Sequence, residues 1–390
     1  MSLKNSKKKS FLLMSIELEP THYKTDLWNK ISESKLLDTF IIYTQMKNWL
    51  PDGGHNYLKF PKKKYKSIVL SGNNFWGTLC SAISVAINIY KKKPDAVIIF
   101  GYYTFQFIVA ILTCLIFRRC FLLFVDEFNN KKPPGRYSFI KFIIREGLRK
   151  YCFYFASAIL VCGRRGYESA VIAGCSSAKI YNFPYVVDIK RIINDEPENY
   201  PEKCLVDVTD SKKVLFFSGR MIERKGLQTL LLALVKFKKD KSWVLWVEGD
   251  GPLSKIYLDL AKKYGIDDRC RFLGFCQYDL HSWLVRTADI VIVPSLEDNW
   301  GIVIDEALQL GKPAISSDAT GSGYDRIKDK INGFIFPVGD EDALQSLLNL
   351  LLNSKKDRDL ISENARNSSH VCPKDNMNTL LKILKSNLNE

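Results

Sequence analysis

Short apolar runs alternate with helix-like segments along nearly all of this 390-residue chain, and that alternation constrains the fold more than any other feature. The runs are rich in Val, Ile and Phe, and most are followed by Gly, Pro, Asn or Asp, which is typical of buried strands that end in turns. Strands that alternate with helices form parallel sheets flanked by helices. The predicted strands of the first half are Phe11–Ile16, Thr39–Tyr43, Ser67–Leu70, Ala96–Phe100, Phe121–Val125, Ala158–Val161 and Lys179–Tyr181. Those of the second half are Val214–Phe217, Trp243–Val247, Arg271–Leu273, Ile290–Val293, Pro313–Ser316 and Gly333–Phe336.

The length of the chain and one polar interval predict two domains. A chain of this length exceeds one ordinary core, and the strand pattern is interrupted by a polar stretch at 194–201. We therefore expect an α/β protein with two doubly wound, Rossmann-like domains that face a central crevice, where ligands bind. The predicted boundaries are 1–193 for the first domain, 194–201 for the linker and 202–370 for the second domain. A C-terminal helix over 371–390 is expected to pack back on the first domain.

Neither a targeting segment nor a disulfide framework is predicted. The apolar start soon meets Glu17 and Glu19 and lacks a small-residue cleavage site, so it indicates a strand rather than a signal peptide. The longest apolar run, Phe105–Phe117, is too short to span a bilayer comfortably and predicts a buried helix. The ten cysteines include no CxxC and show no metal-ligand spacing with the four histidines, which favours a reducing, cytoplasmic location.

The basic excess of the chain lies entirely in its first half. Residues 1–200 hold 30 Lys and Arg against 15 Asp and Glu, whereas residues 201–390 hold 27 of each. Such asymmetry indicates a negatively charged partner for the first half. The clusters that carry much of the excess are Lys7-Lys8-Lys9, Lys62-Lys63-Lys64 with Lys66, Lys91-Lys92-Lys93, Arg118-Arg119 and Arg164-Arg165.

One basic segment, Ser138–Phe155, interleaves cations and aromatic residues at roughly helical spacing. This composition fits a helix at the surface of an anionic membrane. It equally fits a core helix whose Lys and Arg side chains extend to solvent. Nucleic acid is a third alternative, but no recognition motif accompanies the charge, so no nucleic-acid partner is predicted.

A stretch in the second half places acids where a ligand is expected. Pro294–Gly311 reads P-S-L-E-D-N-W-G-I-V-I-D-E-A-L-Q-L-G and follows the predicted strand Ile290–Val293. The stretch predicts a turn at the carboxyl end of that strand and then a helix. Asp298 on the turn and Glu306 on the helix are eight residues apart, and both are expected to reach one crevice and accept hydrogen bonds from hydroxyl-rich ligands. The alternative is that these acids have no ligand and only interact favourably with the positive end of the helix dipole at the start of the helix.

A second stretch supplies cations at an equivalent position. The strand that ends at Phe217 leads into S-G-R-M-I-E-R-K-G-L, in which Arg220 and Lys225 lie between Gly219 and a helix beginning near Gly226. A strand, a glycine turn, two cations and a helix amino end form an anion site. Standing alone, the stretch would favour a plain turn with solvated cations.

These motifs together resemble those of the family-4 (group 1) retaining glycosyltransferases, which have the GT-B fold. P-S-x-E-D-N-W-G-x-V-x-x-E-A resembles the acidic signature of that family, with Asp298 at its first acid position and Glu297 out of register. G-R-x-x-x-x-K-G matches the place where the family holds the donor diphosphate. Further resemblances follow in the family's order at Val247–Pro252, Arg271–Phe275, Gly311–Asp318 and Asn332-Gly333.

The resemblance implies a role for each matching residue. Arg220 and Lys225 would hold the diphosphate and stabilise the leaving charge, with Gly219 allowing close backbone approach. Asp298 would contact hydroxyls of the donor sugar, and Glu306 would accept hydrogen bonds from the ribose. The backbone of Asn299, Trp300 and Gly301 would hold sugar and phosphate, and the loop at Phe275 would flank the nucleobase. No residue role is implied for Glu223 or Arg224.

The first half departs from the family pattern. It lacks both the glycine-rich loop after the first strand and the mid-domain histidine that many members have. Asp126, at the end of a predicted strand, is the candidate contact to acceptor or sugar, and His22 is the next candidate for acceptor binding. Each is also explained by a purely structural role.

The resemblance implies a retaining enzyme that transfers a sugar from a nucleotide-sugar to a saccharide acceptor. The basic first half suggests a lipid-linked acceptor at the inner face of the cytoplasmic membrane, as in assembly of bacterial surface polysaccharide. Two alternatives stay open: a nucleotide-sugar 2-epimerase or hydrolase of the same fold, and a non-catalytic scaffold subunit at the membrane. GT-B enzymes generally need no metal and no D-x-D motif stands out, so neither metal nor cofactor is predicted.

Overall fold

The computed structural model describes residues 10–44, 62–70, 74–128, 136–368 and 373–388. The chain divides into two compact units, one of Met1–Val186 together with Cys372–Glu390 and the other of Val187–Val371. The basic triplet at 7–9 lies outside the described residues.

The first unit is built on a seven-stranded parallel sheet. Its strands are β1 (Phe11–Glu17), β2 (Leu37–Tyr43), β3 (Lys66–Val69), β4 (Ala96–Ile99), β5 (Cys120–Val125), β6 (Ala158–Val161) and β7 (Ile180–Asn182). They lie in the order β3-β2-β1-β4-β5-β6-β7. Its helices are α1 (His22–Ser32), α2 (Phe75–Lys92), α3 (Phe105–Ile116), α4 (Arg136–Phe155), α5 (Gly163–Ile172) and, from the end of the chain, α15 (Pro373–Leu388).

The second unit repeats the plan with a six-stranded parallel sheet. Its strands are β8 (Lys213–Ser218), β9 (Trp243–Glu248), β10 (Cys270–Gly274), β11 (Ile290–Val293), β12 (Ala314–Ser317) and β13 (Phe334–Phe336), in the order β10-β9-β8-β11-β12-β13. Its helices are α6 (Ile189–Asn194), α7 (Glu202–Thr209), α8 (Leu227–Val235), α9 (Ser254–Tyr264), α10 (Tyr278–Thr287), α11 (Ile302–Gln309), α12 (Gly321–Arg326), α13 (Glu341–Asn353) and α14 (Lys355–Arg366).

Burial on both faces explains why these strands are continuous apolar runs. In β9, Trp243, Leu245 and Val247 pack in one core cluster, whereas Val244 and Trp246 pack in another on the opposite face. A strand covered on both faces has no polar side, so its sequence does not alternate. All thirteen predicted strands are present within about two residues of their predicted ends.

Two expectations about the first half need correction. The second unit begins at Val187, before the predicted linker, because α6 packs against α10 and the Arg286 guanidinium donates to the carbonyls of Ile192, Ile193 and Asp195. The run predicted as a buried helix forms α3, but only one side of α3 is buried, and Ile116 is 73% exposed.

Candidate functional site

The second sheet places its candidate residues at the point where strand order reverses. From β8 the chain moves outward to β9 and β10, and then returns to the other side of β8 with β11. In an open parallel sheet, the loops after the two strands at this reversal separate and leave a crevice at their carboxyl ends. The loop after β8 contains Gly219–Gly226, and the loop after β11 contains Pro294–Gly301. The two stretches singled out in the sequence are therefore neighbours.

Gly226 allows the two loops to touch. Its φ is +68°, in the left-handed region, and a Cβ on it would lie 1.8 Å from the carbonyl oxygen of Pro294. Any side chain at this position would clash with fixed backbone, so glycine is required here. The contact brings the start of α8 against the loop after β11.

Arg224 holds the same two loops together through hydrogen bonds. Its carbonyl oxygen accepts hydrogen bonds from the backbone N–H groups of Leu296 (2.8 Å) and Glu297 (3.2 Å). Its guanidinium donates to the carbonyl oxygen of Glu297 at 3.1 Å. No role was predicted for this residue, because the contact that identifies it joins positions 73 residues apart.

Lys225 and Asp298 form the centre of the candidate site. The Lys225 ammonium lies 2.5 Å from Asp298 Oδ2, with side chains that are 18% and 10% exposed. Asp298 is also held through its backbone, since its N–H donates to Ala319 and its carbonyl accepts from Gly321. The neighbouring Glu297 is exposed.

Arg220 and Gly219 also lie in the loop after β8. Arg220 is exposed in the loop after β8, and its carbonyl accepts from the N–H of Ile222. The Gly219 N–H donates to the carbonyl of Glu248, yet a Cβ on Gly219 would make only ordinary contacts of 3.5 Å or more. Gly249 packs against this loop, and a Cβ on it would lie 1.9 Å from the Gly219 oxygen.

Trp300 and Gly301 shape the turn that starts α11. The Trp300 side chain is buried, and its indole N–H donates to Asp305 Oδ2 at 2.7 Å. Gly301 has φ +81°, and a Cβ there would lie 2.7 Å from the Thr320 methyl group. The turn therefore presents backbone rather than the Trp300 ring, while Asn299 is half-buried.

Asp305 is a buried carboxyl behind that turn. Its Oδ1 lies 3.3 Å from the Arg326 guanidinium. Burial raises the pKa of Asp305 to about 6, against the opposing effect of Arg326. Asp305 therefore titrates in a range where ordinary aspartates are already ionised.

Glu306 belongs to a buried chain of polar groups that the sequence did not reveal. Its carboxylate has no exposed surface, and it contacts the Tyr278 hydroxyl at 3.2 Å and His281 Nε2 at 2.8 Å. The other ring nitrogen of His281 lies 2.7 Å from Glu248 Oε2. Burial lowers the pKa of His281, but the two carboxylates raise it by more, so the net pKa is well above the usual value. A carboxylate oxygen faces each ring nitrogen, and both nitrogens can donate only in the imidazolium form, so the geometry also favours that form.

Phe275 lies at the same edge of the second sheet. It directly follows β10, after Gly274 with φ +68°, and its side chain is 47% exposed. The exposed ring offers an apolar surface at the carboxyl end of β10, two strands from β8.

Asp126 and His22 lie in the first unit. Asp126 follows β5 and accepts a hydrogen bond of 2.5 Å from the Tyr185 hydroxyl. The Tyr185 ring in turn packs edge-on against Tyr23, with centroids 4.5 Å apart. His22 begins α1, whose amino end is capped by the Thr21 side chain.

The same edge of the first sheet holds an ion pair that was not anticipated. The Glu17 carboxylate at the end of β1 is fully buried, 3.7 Å from the Lys24 ammonium, and accepts a hydrogen bond from the Trp28 indole. Burial raises the pKa of Glu17, and Lys24 opposes that rise. For Lys24, burial lowers the pKa, but the surrounding groups, Glu17 foremost and then Tyr23 and Asp126, together raise it by more. An acid that ends an apolar strand was the only signal for this pair in the sequence.

Comparison with known proteins identifies the second unit. Residues 206–368 match the family model described as glycosyl transferases group 1. These residues belong to the group 1 glycosyltransferase family. The match includes the loops that carry Lys225 and Asp298, so the candidate site lies inside the group 1 glycosyltransferase domain.

Individual relatives of the group 1 domain are distant. An uncharacterised glycosyltransferase of Methanocaldococcus jannaschii is 29% identical over 161 residues, or 41% of this chain and 41% of its own length. A Campylobacter jejuni α-1,4-N-acetyl-D-galactosaminyltransferase, named for an undecaprenol-linked substrate, is 26% identical over 247 residues, or 63% of this chain and 62% of its own. The chain thus aligns with less than two thirds of either relative.

The whole chain resembles solved GT-B structures. HepE of Anabaena, solved in complex with UDP, superposes with a TM-score of 0.73 at 16% identity, covering 97% of this chain and 100% of its own. The fold is therefore of the GT-B type, with two Rossmann-like sheets. Among the described residues, no helix is long and apolar enough to cross a membrane.

Proposed function

We propose that this protein is a retaining glycosyltransferase that moves a sugar from a nucleotide-sugar to a saccharide acceptor in the assembly of bacterial surface polysaccharide. The observation that supports it best is the contact between Lys225 and Asp298 where the strand order reverses. A cation that would hold a diphosphate then lies directly beside a carboxylate that would hold sugar hydroxyls.

The cations would act on the leaving group. Lys225 lies just before α8, whose amino end carries partial positive charge from its unpaired N–H groups. A diphosphate at this place would meet that end, the Lys225 ammonium and the Arg220 guanidinium. Stabilising charge that develops on a leaving group in a low-dielectric site contributes about 3 kcal/mol for each well-placed donor. In a front-face substitution, the same diphosphate would take the proton of the acceptor hydroxyl.

The acids would hold the hydroxyl groups of the donor. Asp298 is fixed by Lys225 and by two backbone hydrogen bonds, so it would accept from the sugar with little reorganisation. Glu306 would accept from the ribose. Each carboxylate oxygen has two lone pairs, and a ribose hydroxyl would take the place of the Tyr278 hydroxyl at Oε1.

The acceptor would be lipid-linked and the enzyme peripheral at the inner face of the cytoplasmic membrane. Support comes from the basic excess of residues 1–200 and from the Campylobacter jejuni relative, whose name specifies an undecaprenol-linked substrate. Asp126 and His22 are the proposed contacts to the acceptor in the first unit. No metal is assigned to the reaction.

A nucleotide-sugar screen tests the proposal. Purified protein is incubated with each donor, and thermal shift and nucleotide release are measured with and without a lipid-linked saccharide acceptor. We expect one donor to stabilise the protein and to release nucleotide only with the acceptor present. Release without the acceptor would indicate a hydrolase, an epimeric product would indicate an epimerase, and absence of nucleotide binding would support a scaffold.

Three substitutions test the residue roles. Lys225→Ala and Asp298→Ala are expected to lower kcat/KM about 100-fold or more. Glu297→Ala is the matched control, because that side chain is exposed, and it should stay within about twofold of wild type. Near-normal turnover by Lys225→Ala would contradict the diphosphate assignment, and equal losses at 297 and 298 would contradict the assigned register.

A further inference from the structure

Helix α2 turns an apolar face to solvent. Trp76, Cys80, Ile83, Ile87 and Tyr90 are all exposed, and their spacing of three or four residues puts them on one line along the helix. Trp76 is 69% exposed and Tyr90 is 55% exposed. A helix at the surface of a soluble protein normally places polar residues on this side.

Helix α3 continues the same surface. Phe105, Leu112 and Ile116 are 48%, 45% and 73% exposed, and α3 contains no charged residue. The two helices pack against each other, and the rings of Tyr90 and Phe117 lie 4.9 Å apart where both helices end. We call the exposed apolar residues of α2 and α3 the outer stripe; they are Trp76, Cys80, Ile83, Ile87, Tyr90, Phe105, Leu112 and Ile116.

The described charged residues that flank the outer stripe in sequence are mostly basic. Lys91, Lys92, Lys93 and Arg118 are exposed immediately beyond the carboxyl ends of the stripe on the two helices. Across residues 53–125 there are ten Lys and Arg but a single acid, Asp95. The Asp95 carboxylate accepts a hydrogen bond from the backbone N–H of Leu12, so it is engaged at β1.

We propose that the outer stripe is a docking surface for a bilayer that contains anionic phospholipid. Its apolar side chains would enter the boundary between headgroups and acyl chains, with Trp76 and Tyr90 suited to that boundary, while the basic ends contact phosphate. A second copy of the chain fits less well, because the stripe offers no acid to meet the cations of its partner.

The outer stripe differs from Ser138–Phe155, the segment for which the sequence left a membrane contact and a core helix as equal alternatives. Helix α4 exposes Ile144 and Tyr154, but it also carries Glu146, which pairs with Arg149. The outer stripe on α2 and α3 contains no acid. The purpose of docking and the membrane concerned rest on the proposed function; the choice of surface rests on the exposed side chains of α2 and α3.

Vesicle flotation of the full chain tests the proposal. Wild type is expected to float with phosphatidylcholine vesicles that contain phosphatidylglycerol and to bind pure phosphatidylcholine much less. The double variant Ile83→Glu/Ile87→Glu should bind the anionic vesicles at least about tenfold more weakly, because two apolar side chains become charged. The matched control is Ile256→Glu on α9, where the isoleucine is 56% exposed, and it should bind as wild type does.

A third variant separates the two helical surfaces. Ile144→Glu places the same charge on α4, at a side chain that is 58% exposed. Loss of binding in Ile83→Glu/Ile87→Glu with retention in Ile256→Glu supports the outer stripe, whatever Ile144→Glu does. The proposal would be overturned if only Ile144→Glu lost binding to the anionic vesicles, if Ile256→Glu lost binding equally, or if no variant lost binding. It would also be overturned if wild type failed to float.

Two further measurements keep the test decisive. If Ile83→Glu/Ile87→Glu fails to fold, Lys91→Gln/Lys92→Gln/Lys93→Gln serves instead and should abolish the preference for anionic vesicles; an unchanged preference overturns the proposal. Light scattering must show the same molecular mass for wild type and for Ile83→Glu/Ile87→Glu. If wild type were a dimer and the variant a monomer, the outer stripe would be a self-association surface and the proposal would be overturned. Thermal shift with donor should be the same in both proteins, so a failure of docking and a failure of donor binding are read separately.

Discussion

Replacing the buried His281 should lower the free energy of unfolding by an amount that can be worked out from its contacts. His281→Gln removes the positive charge from between Glu248 and Glu306, whose side chains are 8% and 0% exposed. Removing one partner from a buried ionic group costs about 3–5 kcal/mol, because the remaining charges lose their compensation. The glutamine amide restores one ordinary hydrogen bond, worth about 1 kcal/mol. We therefore expect a net loss of about 2–4 kcal/mol at neutral pH.

Calorimetry of the full chain measures this loss. For a unit of this size each kcal/mol lowers the midpoint by about 2–4 °C, so the transition of the second unit should fall by roughly 4–16 °C. The control is Glu248→Gln, which leaves the imidazolium with one carboxylate. The double variant should lose less than the sum of the two single losses, because both remove the same interaction.

The pH dependence supplies an independent check. The folded pKa of His281 is raised, so the stability from its bound proton is fully present below the unfolded pKa of about 6.5 and is lost as pH rises through the folded pKa. The difference between wild type and His281→Gln should therefore shrink on the alkaline side. A midpoint within about 1 °C of wild type at neutral pH, or a constant difference at all higher pH, would refute the assignment of an imidazolium.

Two other predictions concern the turns around the site. Gly226→Ala should lower the free energy of unfolding, measured in urea, by about 3 kcal/mol or more. The control is Gly265→Ala, because Gly265 has the same φ of +68° but open space where a Cβ would lie, and it should cost only about 1 kcal/mol. Equal losses would show that the contact with Pro294 is unimportant. Because burial raises the pKa of Asp305 to about 6, the stability that its proton provides is present below the unfolded pKa and is lost as pH rises through about 6. Between pH ~4 and ~7, the free energy of unfolding of Asp305→Asn should therefore rise by about 3 kcal/mol relative to that of wild type. A difference between the two proteins that does not change with pH would contradict the raised pKa of Asp305.

The strands could be predicted because each is buried on both faces and ends in a turn. An apolar run such as Ile290–Val293 is visible without knowledge of its neighbours, and a parallel sheet then places its carboxyl end beside that of β8. The order of the strands puts Lys225 near Asp298 by the same reasoning, and the structure joins the two side chains. This part of the site follows from local sequence and topology alone.

The rest of the site depends on contacts that local sequence does not encode. His281 lies 33 residues from Glu248 and 25 from Glu306, and nothing in the run Y-D-L-H-S-W distinguishes it from any half-buried helical histidine. The requirement for glycine at 249 depends on the close approach of the Gly219 backbone, which the local sequence does not show. The outward apolar face of α3 was also missed, because an uninterrupted apolar run has no period that separates its two sides.

The first unit is assembled from two distant parts of the chain, and this has a consequence for synthesis. Helix α15 packs on α1, and the Asn376 amide donates to the carbonyl of Pro184. Leu380 and Leu384 of α15 have no exposed surface. Domains fold in order as the chain emerges, but this unit cannot close until residues after the whole second unit have been made. During translation the surface of α1 stays uncovered while the second unit folds, and a chain stopped before Pro373 would leave the earlier unit incomplete rather than the later one.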